Sequence, residues 1–242
     1  GFDYVFHLAA EISLRTSLKN PGKDAEVNIV GSLNLIKESI AHGVKKFIFS
    51  SSGGAIYSKD AELPCDENSK EEPMSPYGLG KLTIEKYLEI FKKLKGLDYV
   101  CLRYSNVYGP RQNHKGEAGV VSIFVNSVLD GKLLNVFGSG ENTRDFVYVK
   151  DVVKANIKAM ELAGIYNVST NNETSVNEIA EKIIELTGSA SEVVHKPEIK
   201  GELKRSKLSS DKLEKIGWKP EVDVESGLKQ TVDFFRNVRY RL

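Results

Sequence analysis

Only two cysteines occur in the 242 residues, Cys65 in a polar stretch and Cys101 inside an apolar run. That excludes a disulfide framework and a Cys-rich metal centre, and makes a reducing cytoplasm the expected compartment. Net charge is equally scarce. With 34 basic against 33 acidic residues the formal balance is +1, so no global field attracts nucleic acid or an anionic membrane, and neither is expected as a partner. No apolar run approaches the ~18 to 20 residues of a membrane span, and Gly1 onward carries no basic-then-apolar leader. Internal repeats and low-complexity tracts are missing as well. His7 has no second His, Cys or acid at ligand spacing, so it reads as a packed core histidine, and no metal is expected. What remains is ordinary globular composition, 40% hydrophobic and 28% charged, with length for one domain or two closely joined lobes.

The chain is organised around Ser75-Pro76-Tyr77-Gly78-Leu79-Gly80-Lys81. A helix turns every 3.6 residues, so Tyr77 and Lys81, four apart, share one face and bring phenol and ammonium to a common ligand. A cation that close favours the phenolate, and it is expected to lower the phenol from its ordinary value of about 10. Tyr-x-x-x-Lys also arises by chance on helices where Tyr packs and Lys is solvated. Its weight here comes from a second feature: the apolar run Lys46-Phe47-Ile48-Phe49 ends in Ser50-Ser51-Ser52. A buried parallel strand meets its loop there, at the edge where open α/β sheets hold ligands.

Periodicity predicts an α/β chain. Strands are expected over 4–8, 47–51, 97–104, 134–138, 146–149 and 165–169, and helices over 23–41, 77–95, 119–129, 151–162, 175–186, 210–216 and 224–238. The 23–41 helix shows an apolar stripe of Val27, Val30, Leu33, Leu35, Ile36 and Ile40, and the 77–95 helix one of Ile84, Tyr87, Leu88 and Phe91. Asp151 reads as a helix cap, Ser175 to Glu178 as a capping box, and residues 59–73 as a solvated polar loop. Gly53 and Gly54 read as a tight loop that allows close ligand approach.

Several motifs follow in one order: Tyr4-Val5-Phe6-His7-Leu8-Ala9-Ala10, Asn28-Ile29-Val30-Gly31, Phe49-Ser50-Ser51-Ser52, Tyr77 to Lys81, Leu102-Arg103-Tyr104-Ser105-Asn106-Val107-Tyr108-Gly109-Pro110-Arg111 and Thr143-Arg144-Asp145-Phe146-Val147-Tyr148-Val149. With Gly217-Trp218-Lys219-Pro220 they cover essentially the whole chain. They resemble the extended short-chain dehydrogenase/reductase family, most closely its nucleotide-sugar epimerases of the UDP-glucose 4-epimerase type. The resemblance implies a Rossmann-like doubly wound parallel sheet, N-terminally truncated, with a smaller α/β substrate-binding lobe. Residues 1–109, joined by 145–170, would be the remainder of the NAD-binding domain; 110–144 and 171–242 would form the nucleotide-sugar lobe.

By the same resemblance Ser52, Tyr77 and Lys81 are catalytic, and Ala9, Ala10, Asn28, Ser50, Tyr77, Lys81 and Tyr104 lie at NAD. A buried amide such as Asn28 must find partners, so it braces the active-site strand or contacts the ligand; bracing is favoured. Ser52, Asn106, Val120, Phe137, Arg144 and Glu202 are the implied UDP-sugar contacts. Asn106 would otherwise be a turn former. Arg144, whose guanidinium grips phosphate oxygens in pairs, would otherwise be half of an ion pair with Asp145. A homodimer joined through the 23–41 and Tyr77 helices is implied too.

The sequence departs from the family in places. It contains no G-x-x-G-x-x-G turn to hold the cofactor pyrophosphate; at roughly 30 residues per βαβ unit, about two units are missing, and the chain reads as a fragment. Residues 53–58 run one longer than the common pattern, which leaves Ser51 open beside Ser52. No Asp-Glu pair follows the hydroxyl, which argues against 4,6-dehydration. The family arginine near Lys200-Gly201-Glu202 falls on Ile199. Ser206 stands where epimerases restricted to unmodified hexoses carry a bulky aromatic, so an N-acetyl group should fit. The alternatives are a UDP-glucuronate 4-epimerase, a nucleotide-sugar reductase, or an inactive fragment that only binds nucleotide sugar and leaves its first strand as an unpaired edge.

Overall fold

The computed structural model describes residues 1–114, 119–199 and 203–239. Four parallel strands, Tyr4–His7, Lys46–Ser52, Asp98–Tyr104 and Gly164–Val168, form the central sheet in that spatial order. Pleating sends alternate residues to opposite faces. Phe47, Phe49 and Cys101 pack with Ile36, Ile84 and Leu88 from the helices Gly31–Ala41 and Pro76–Lys95. Ile48, Val100 and Leu102 pack on the other side with Val152, Ala155 and Ala159 of the Val149–Ala159 helix and with Trp218. A parallel sheet covered by helices on both faces is the doubly wound arrangement expected.

A separate core gathers around the Leu134–Phe137 strand, where the helices Val120–Leu129, Val176–Thr187 and Val224–Arg239 bring Phe124, Ile179, Ile183 and Leu228 together. Asn106–Tyr108 pairs with Phe146–Tyr148, and Thr143–Arg144 lies between Arg205–Ser206 and Thr174–Ser175. The capping box expected at Ser175 and Glu178 is formed, each side chain bonding the other's backbone N–H.

Several local expectations give way. The long helix starts at Pro21, not near residue 23, and passes through a π-helical turn, Glu26–Val30, before resuming at Gly31. Its inward face carries Asp24, Asn28, Ser32, Ile36 and Ser39, while Val27, Val30 and Leu35 are exposed. Tyr87 on the second helix is exposed as well. A six-residue helix, Leu14–Lys19, is capped by Ser13, whose hydroxyl accepts from the Thr16 N–H at 2.8 Å. Gly53–Ile56 is a short helix instead of a loop, and the side chain of Leu208 closes on Gly53 so tightly that a Cβ there would lie 2.3 Å from it. Asp151 caps a different segment from the one expected: its carboxylate accepts the backbone N–H groups of Glu221 and Val222 at 3.1 and 3.0 Å.

The 59–73 loop is more than solvated surface. Cys65 is buried, and Glu71 joins an ion network under the sheet. At its centre Arg103 is fully buried and donates to Glu85 through Nε at 3.0 Å and Nη2 at 2.5 Å, to Glu71 through Nη2, and to the Tyr57 hydroxyl through Nη1 at 3.0 Å. The Tyr57 hydroxyl in turn donates a hydrogen bond to Asn167 Oδ1 at 2.8 Å. Removing Glu85 leaves the buried guanidinium with only the partly exposed Glu71 as counter-charge, so Glu85→Ala should cost about 3 kcal/mol, read from the urea midpoint. The double variant Arg103→Met/Glu85→Met should cost much less, and equal losses in the two would refute the pairing.

Candidate active site

The sheet's carboxyl end is where the functional side chains meet. Phe49 is paired with His7 and Ser52 with Tyr104, so Ala9 and Ala10, the three serines and Tyr104 leave neighbouring strands along one edge. The Pro76–Lys95 helix is aimed at that edge by its cap: the Ser75 hydroxyl accepts from the Gly78 N–H at 3.1 Å, and Pro76 sits at the first helical position. Gly78 has no room for a side chain, because a Cβ would lie 2.2 Å from the Ala55 carbonyl oxygen. The helix start thereby presses on the segment that follows Ser52 and brings Tyr77 to it.

Ser52 faces the Tyr77 phenol closely enough to ease its ionisation. Ser51 is engaged elsewhere, donating to Glu85 at 2.5 Å inside the Arg103 network. Of the two serines left open by the sequence, Ser52 is the one beside the phenol. Lys81, one turn below, is 5% exposed and donates from Nζ to the Ser50 carbonyl at 2.8 Å. Its ammonium also lies 4.8 Å from the Phe49 ring centroid and 5.8 Å from that of Tyr77.

The electrostatics differ from the expectation of a phenol made acidic by its lysine. Burial pushes the Tyr77 phenol up, the Ser52 hydroxyl offsets part of this, and the charge of Asp24 adds to the rise. Burial likewise brings Lys81 down to about 8, against the pull of Asp24 and Glu85. Desolvation therefore outweighs the neighbouring cation, and the phenol keeps its proton at neutral pH.

Asn28 spans the gap between the first strand and its helix. Its Nδ2 donates to the Glu11 carbonyl and to Asp24 Oδ1, both at 2.9 Å, and its Oδ1 accepts from the Glu11 N–H at 2.9 Å. One amide hydrogen and the amide oxygen thus hold Glu11 in the loop after Ala10, and the other hydrogen holds Asp24 one turn earlier on the helix. His7 donates from Nε2 to Ser32 Oγ at 2.8 Å, since Ser32 gives its own proton to the Asn28 carbonyl at 2.6 Å. Burial lowers the imidazole, with Lys81 adding to the effect, so His7 is a neutral core residue. Among the described residues no group of His, Cys, Asp and Glu could hold a metal ion. Ser50 and Tyr104 hydroxyls meet at 3.2 Å, and Asn156 Nδ2 donates to Tyr104 at 2.8 Å.

The second half of the cleft is built on Asp145, which is fully buried. Its Oδ1 accepts from Thr170 N–H at 2.9 Å, Thr170 Oγ1 at 2.8 Å and Ser105 Oγ at 3.3 Å. Engaged this way, Asp145 is no ion-pair partner for Arg144, whose Nη1 donates to the Thr143 carbonyl at 2.8 Å. Asn106 lies in a strand, not in a turn, and its half-buried amide has no side-chain hydrogen-bond partner among the described residues. The Val120–Leu129 helix packs on the Leu134–Phe137 strand, with Phe137 exposed at the strand's end. Glu202 lies outside the described residues.

A profile described as the NAD dependent epimerase/dehydratase family matches residues 1–169. The UDP-glucose 4-epimerase of Mycolicibacterium smegmatis is 41% identical over 239 residues, covering 97% of this chain and 76% of that protein. The crystal structure of Thermotoga maritima UDP-glucose 4-epimerase with UDP-glucose is similar at a TM-score of 0.96 and 48% identity, over 98% of this chain and 78% of the other. A UDP-N-acetylglucosamine 4-epimerase from Methanobrevibacter ruminantium, in complex with UDP-N-acetylmuramic acid, reaches 0.94 at 38% identity over 98% and 77% of the two chains.

The buried ammonium has a measurable signature. With Lys81 at about 8 in the fold and an ordinary lysine at about 10.4, the unfolded chain holds more protons between those values, so this group makes stability rise with pH. The buried phenols of Tyr77 and Tyr104, both raised, act oppositely above about 10. Between pH 7.5 and 9.5 the native protein should gain stability relative to Lys81→Met in denaturant titrations; parallel pH profiles would refute the assignment.

Proposed function

The chain belongs to the NAD dependent epimerase/dehydratase family, and from that premise we propose that Ser52, Tyr77 and Lys81 are the reacting centre of a UDP-hexose 4-epimerase. The observation that carries this reading is Tyr77, whose ionisation Ser52 eases, set one helical turn from a buried Lys81 anchored on the Ser50 carbonyl. NAD dependence follows from the family, and the residues present fit the nicotinamide end of the cofactor. Ala9 is exposed at the strand end with no bulk to block a flat ring, beside Ser50, Tyr104 and the Lys81 ammonium. No G-x-x-G-x-x-G turn occurs in the sequence, so the pyrophosphate is assigned to no residue here.

Held beside Ala9, Ser50, Tyr104 and Lys81, NAD would supply reversible hydride acceptance at C4 of the sugar and, in its oxidised form, a positive charge that favours the phenolate. Tyr77 Oη takes the proton of the sugar 4-hydroxyl and gives it back, with the Ser52 hydroxyl holding that oxygen in line. Lys81 holds the cofactor ribose side and opposes the desolvation that keeps Tyr77 protonated. Asn106, with its amide open, and Arg144 hold the diphosphate while the 4-keto sugar turns over. Val120 and Phe137 flank the base, and Glu202 is retained for the nucleotide ribose. The division of labour is between a cofactor part, 1–109 with 145–170, and a nucleotide-sugar part made of 110–144 and 171–242.

A homodimer is supported by the helices Gly31–Ala41 and Pro76–Lys95 and the π-helical turn before the first of them, which leave Val27, Val30, Leu79, Ile90 and Leu94 exposed. Two free, buried cysteines fit a reducing cytoplasm, and no described helix is long and apolar enough to cross a membrane. Ser206 lines an open cavity and leaves room for an N-acetyl group.

Tyr77→Phe should lower kcat for UDP-glucose epimerisation by roughly 100-fold or more while UDP affinity, measured by calorimetry, stays essentially unchanged; full activity would remove Tyr77 from the chemistry. UDP-N-acetylhexosamines should turn over, and Ser206→Tyr should suppress that reaction more than UDP-glucose turnover. Good UDP-glucose turnover with none of UDP-N-acetylglucosamine in the native protein would refute the wider specificity.

A further inference from the structure

Asp24 is a buried acid to which the chemistry above gives no part. It is 2% exposed and stands where the Pro21–Ala25 segment crosses the Pro76–Lys95 helix. The crossing is made at Gly80, which lies between Tyr77 and Lys81 in the sequence. A Cβ on Gly80 would lie 3.6 Å from Asp24 Oδ2 and 3.7 Å from both Asn28 Cβ and Ile29 Cγ1, so the carboxylate rests against the helix one residue from Lys81. Its other oxygen is fixed from behind. Asp24 Oδ1 accepts from Asn28 Nδ2 at 2.9 Å, and the same amide is tied to Glu11, which keeps the acid from turning away.

The surroundings set this anion apart. Glu85, the other carboxylate whose charge reaches Lys81, is taken up by Arg103 and Ser51. Asp24 is bonded to a neutral amide, and its charge acts on both members of the reacting pair, favouring the Lys81 ammonium and disfavouring the Tyr77 phenolate. The other titratable groups packed around the helix add little charge. His7 on the first strand is held neutral by burial, and Tyr99, Cys101 and Tyr104 on the Asp98–Tyr104 strand are held to their protons in the same way. Asp98 pairs with Lys92 at that strand's opposite end. Glu11 faces Asp24 and opposes its ionisation. Arg15, Lys19, Lys23, Glu26, Lys37 and Glu38 on the neighbouring helical segments are exposed, where water screens them.

We propose that Asp24 is a positioning residue of the reacting centre, the fixed anion behind Lys81 that keeps it an ammonium while sugar and cofactor cover it. The catalytic side of this role rests on the UDP-hexose reading. Burial already brings Lys81 down to about 8 against the pull of both carboxylates. Covering it removes more water, and a cationic nicotinamide ring alongside adds a like charge, so both changes loosen the proton further. A lysine that lost it would no longer donate to the cofactor ribose while holding the Ser50 carbonyl. A carboxylate placed at the next residue of the same face-to-face crossing acts in the opposite direction and occupies none of the space the ligands need. The same anion makes the phenol harder to ionise, which the charge of the oxidised cofactor offsets.

NMR titration of the protein with lysine isotope-labelled at Cε tests this directly, Lys81→Met identifying the resonance. Asp24→Asn keeps an oxygen for the Asn28 amide and removes only the charge. The Lys81 midpoint should then fall from about 8 by about one pH unit. A purely structural Asp24 gives the opposite sign, because water admitted to a loosened crossing raises the midpoint toward the ordinary lysine value of about 10.4. A rise, or no change, overturns the proposal. The coupling is reciprocal, so in Lys81→Met the labelled Asp24 carboxyl should titrate at higher pH than in the native protein. An unmoved carboxyl overturns the proposal as well, and this arm holds even where Asp24→Asn fails to fold. The kinetic counterpart is the alkaline fall of kcat for UDP-glucose, which should move down in pH with the Lys81 midpoint in Asp24→Asn; a profile that stays in place removes Asp24 from the reaction. A native protein whose Lys81 and Asp24 titrate as expected but which turns over no UDP-glucose sinks the 4-epimerase reading and leaves the coupling of the two charges standing.

Discussion

An ammonium held out of water at the end of a parallel sheet is the constraint on which this site depends. Lys81 has one strong partner, the Ser50 carbonyl, and two carboxylates within electrostatic reach, Asp24 and Glu85. Each comes from a different element, so burying Lys81 without those partners would leave an uncompensated charge, at a cost of several kcal/mol. The requirement propagates. Tyr77, Lys81 and Glu85 recur at four-residue spacing on one face of the helix, and Glu85 is itself tied to Ser51 and Arg103. The Pro76–Lys95 helix cannot rotate or slide without breaking contacts to two strands, so the phenol at its start is positioned by charges farther down.

The same requirement explains the polar inner face of the neighbouring helix. Asp24, Asn28 and Ser32 occupy it because they complete the surroundings of Lys81, His7 and the loop after Ala10. Burying them is offset by hydrogen bonds that leave Asn28 with both donors satisfied. The π-helical turn, Glu26–Val30, has Asn28 at its centre. A turn of this kind shifts the helix face by one residue, and such bulges are found at functional sites. Apolar side chains displaced from the inner face, Val27 and Val30, end up outside.

This is also where sequence reasoning reached its limit. The strands and the Tyr-x-x-x-Lys helix were legible because buried parallel strands are continuously apolar and a 3.6-residue period brings residues four apart together. Periodicity assumes that the buried face of a helix is the apolar one, and the 21–41 helix violates that assumption for chemical reasons. The Leu14–Lys19 helix escaped because Leu14 and Leu18 are exposed and leave no stripe; only Ser13, three before Thr16, signalled its cap. Asp151 looked like a cap for its own helix, yet it satisfies N–H groups 70 residues away, a pairing with no local signature. Reading Lys81 as the residue that lowers Tyr77 counted the attraction between charges and left out desolvation, which depends on packing that sequence alone does not specify.

On the substrate side, Asp145 has the role that Lys81 has on the cofactor side. Through one carboxylate and its backbone it joins four segments: Ser105–Asn106, Arg144, Thr170, and the 206–208 wall, whose Leu208 closes on Gly53 beside Ser52. Its Oδ2 has no partner within the described chain, and burial raises the carboxyl's pKa; the arrangement is maintained because Ser105 and Thr170 converge on the other oxygen with three hydrogen bonds. In the proposed assignment, a diphosphate gripped by Asn106 and Arg144 would be held in a frame continuous with the wall facing Ser52. An epimerase has to keep one end of its substrate still while the other presents both faces to the same phenol. A single buried acid linking the anchor to the far wall meets that demand, because neither can shift unless Asp145 gives up its hydrogen bonds to the other.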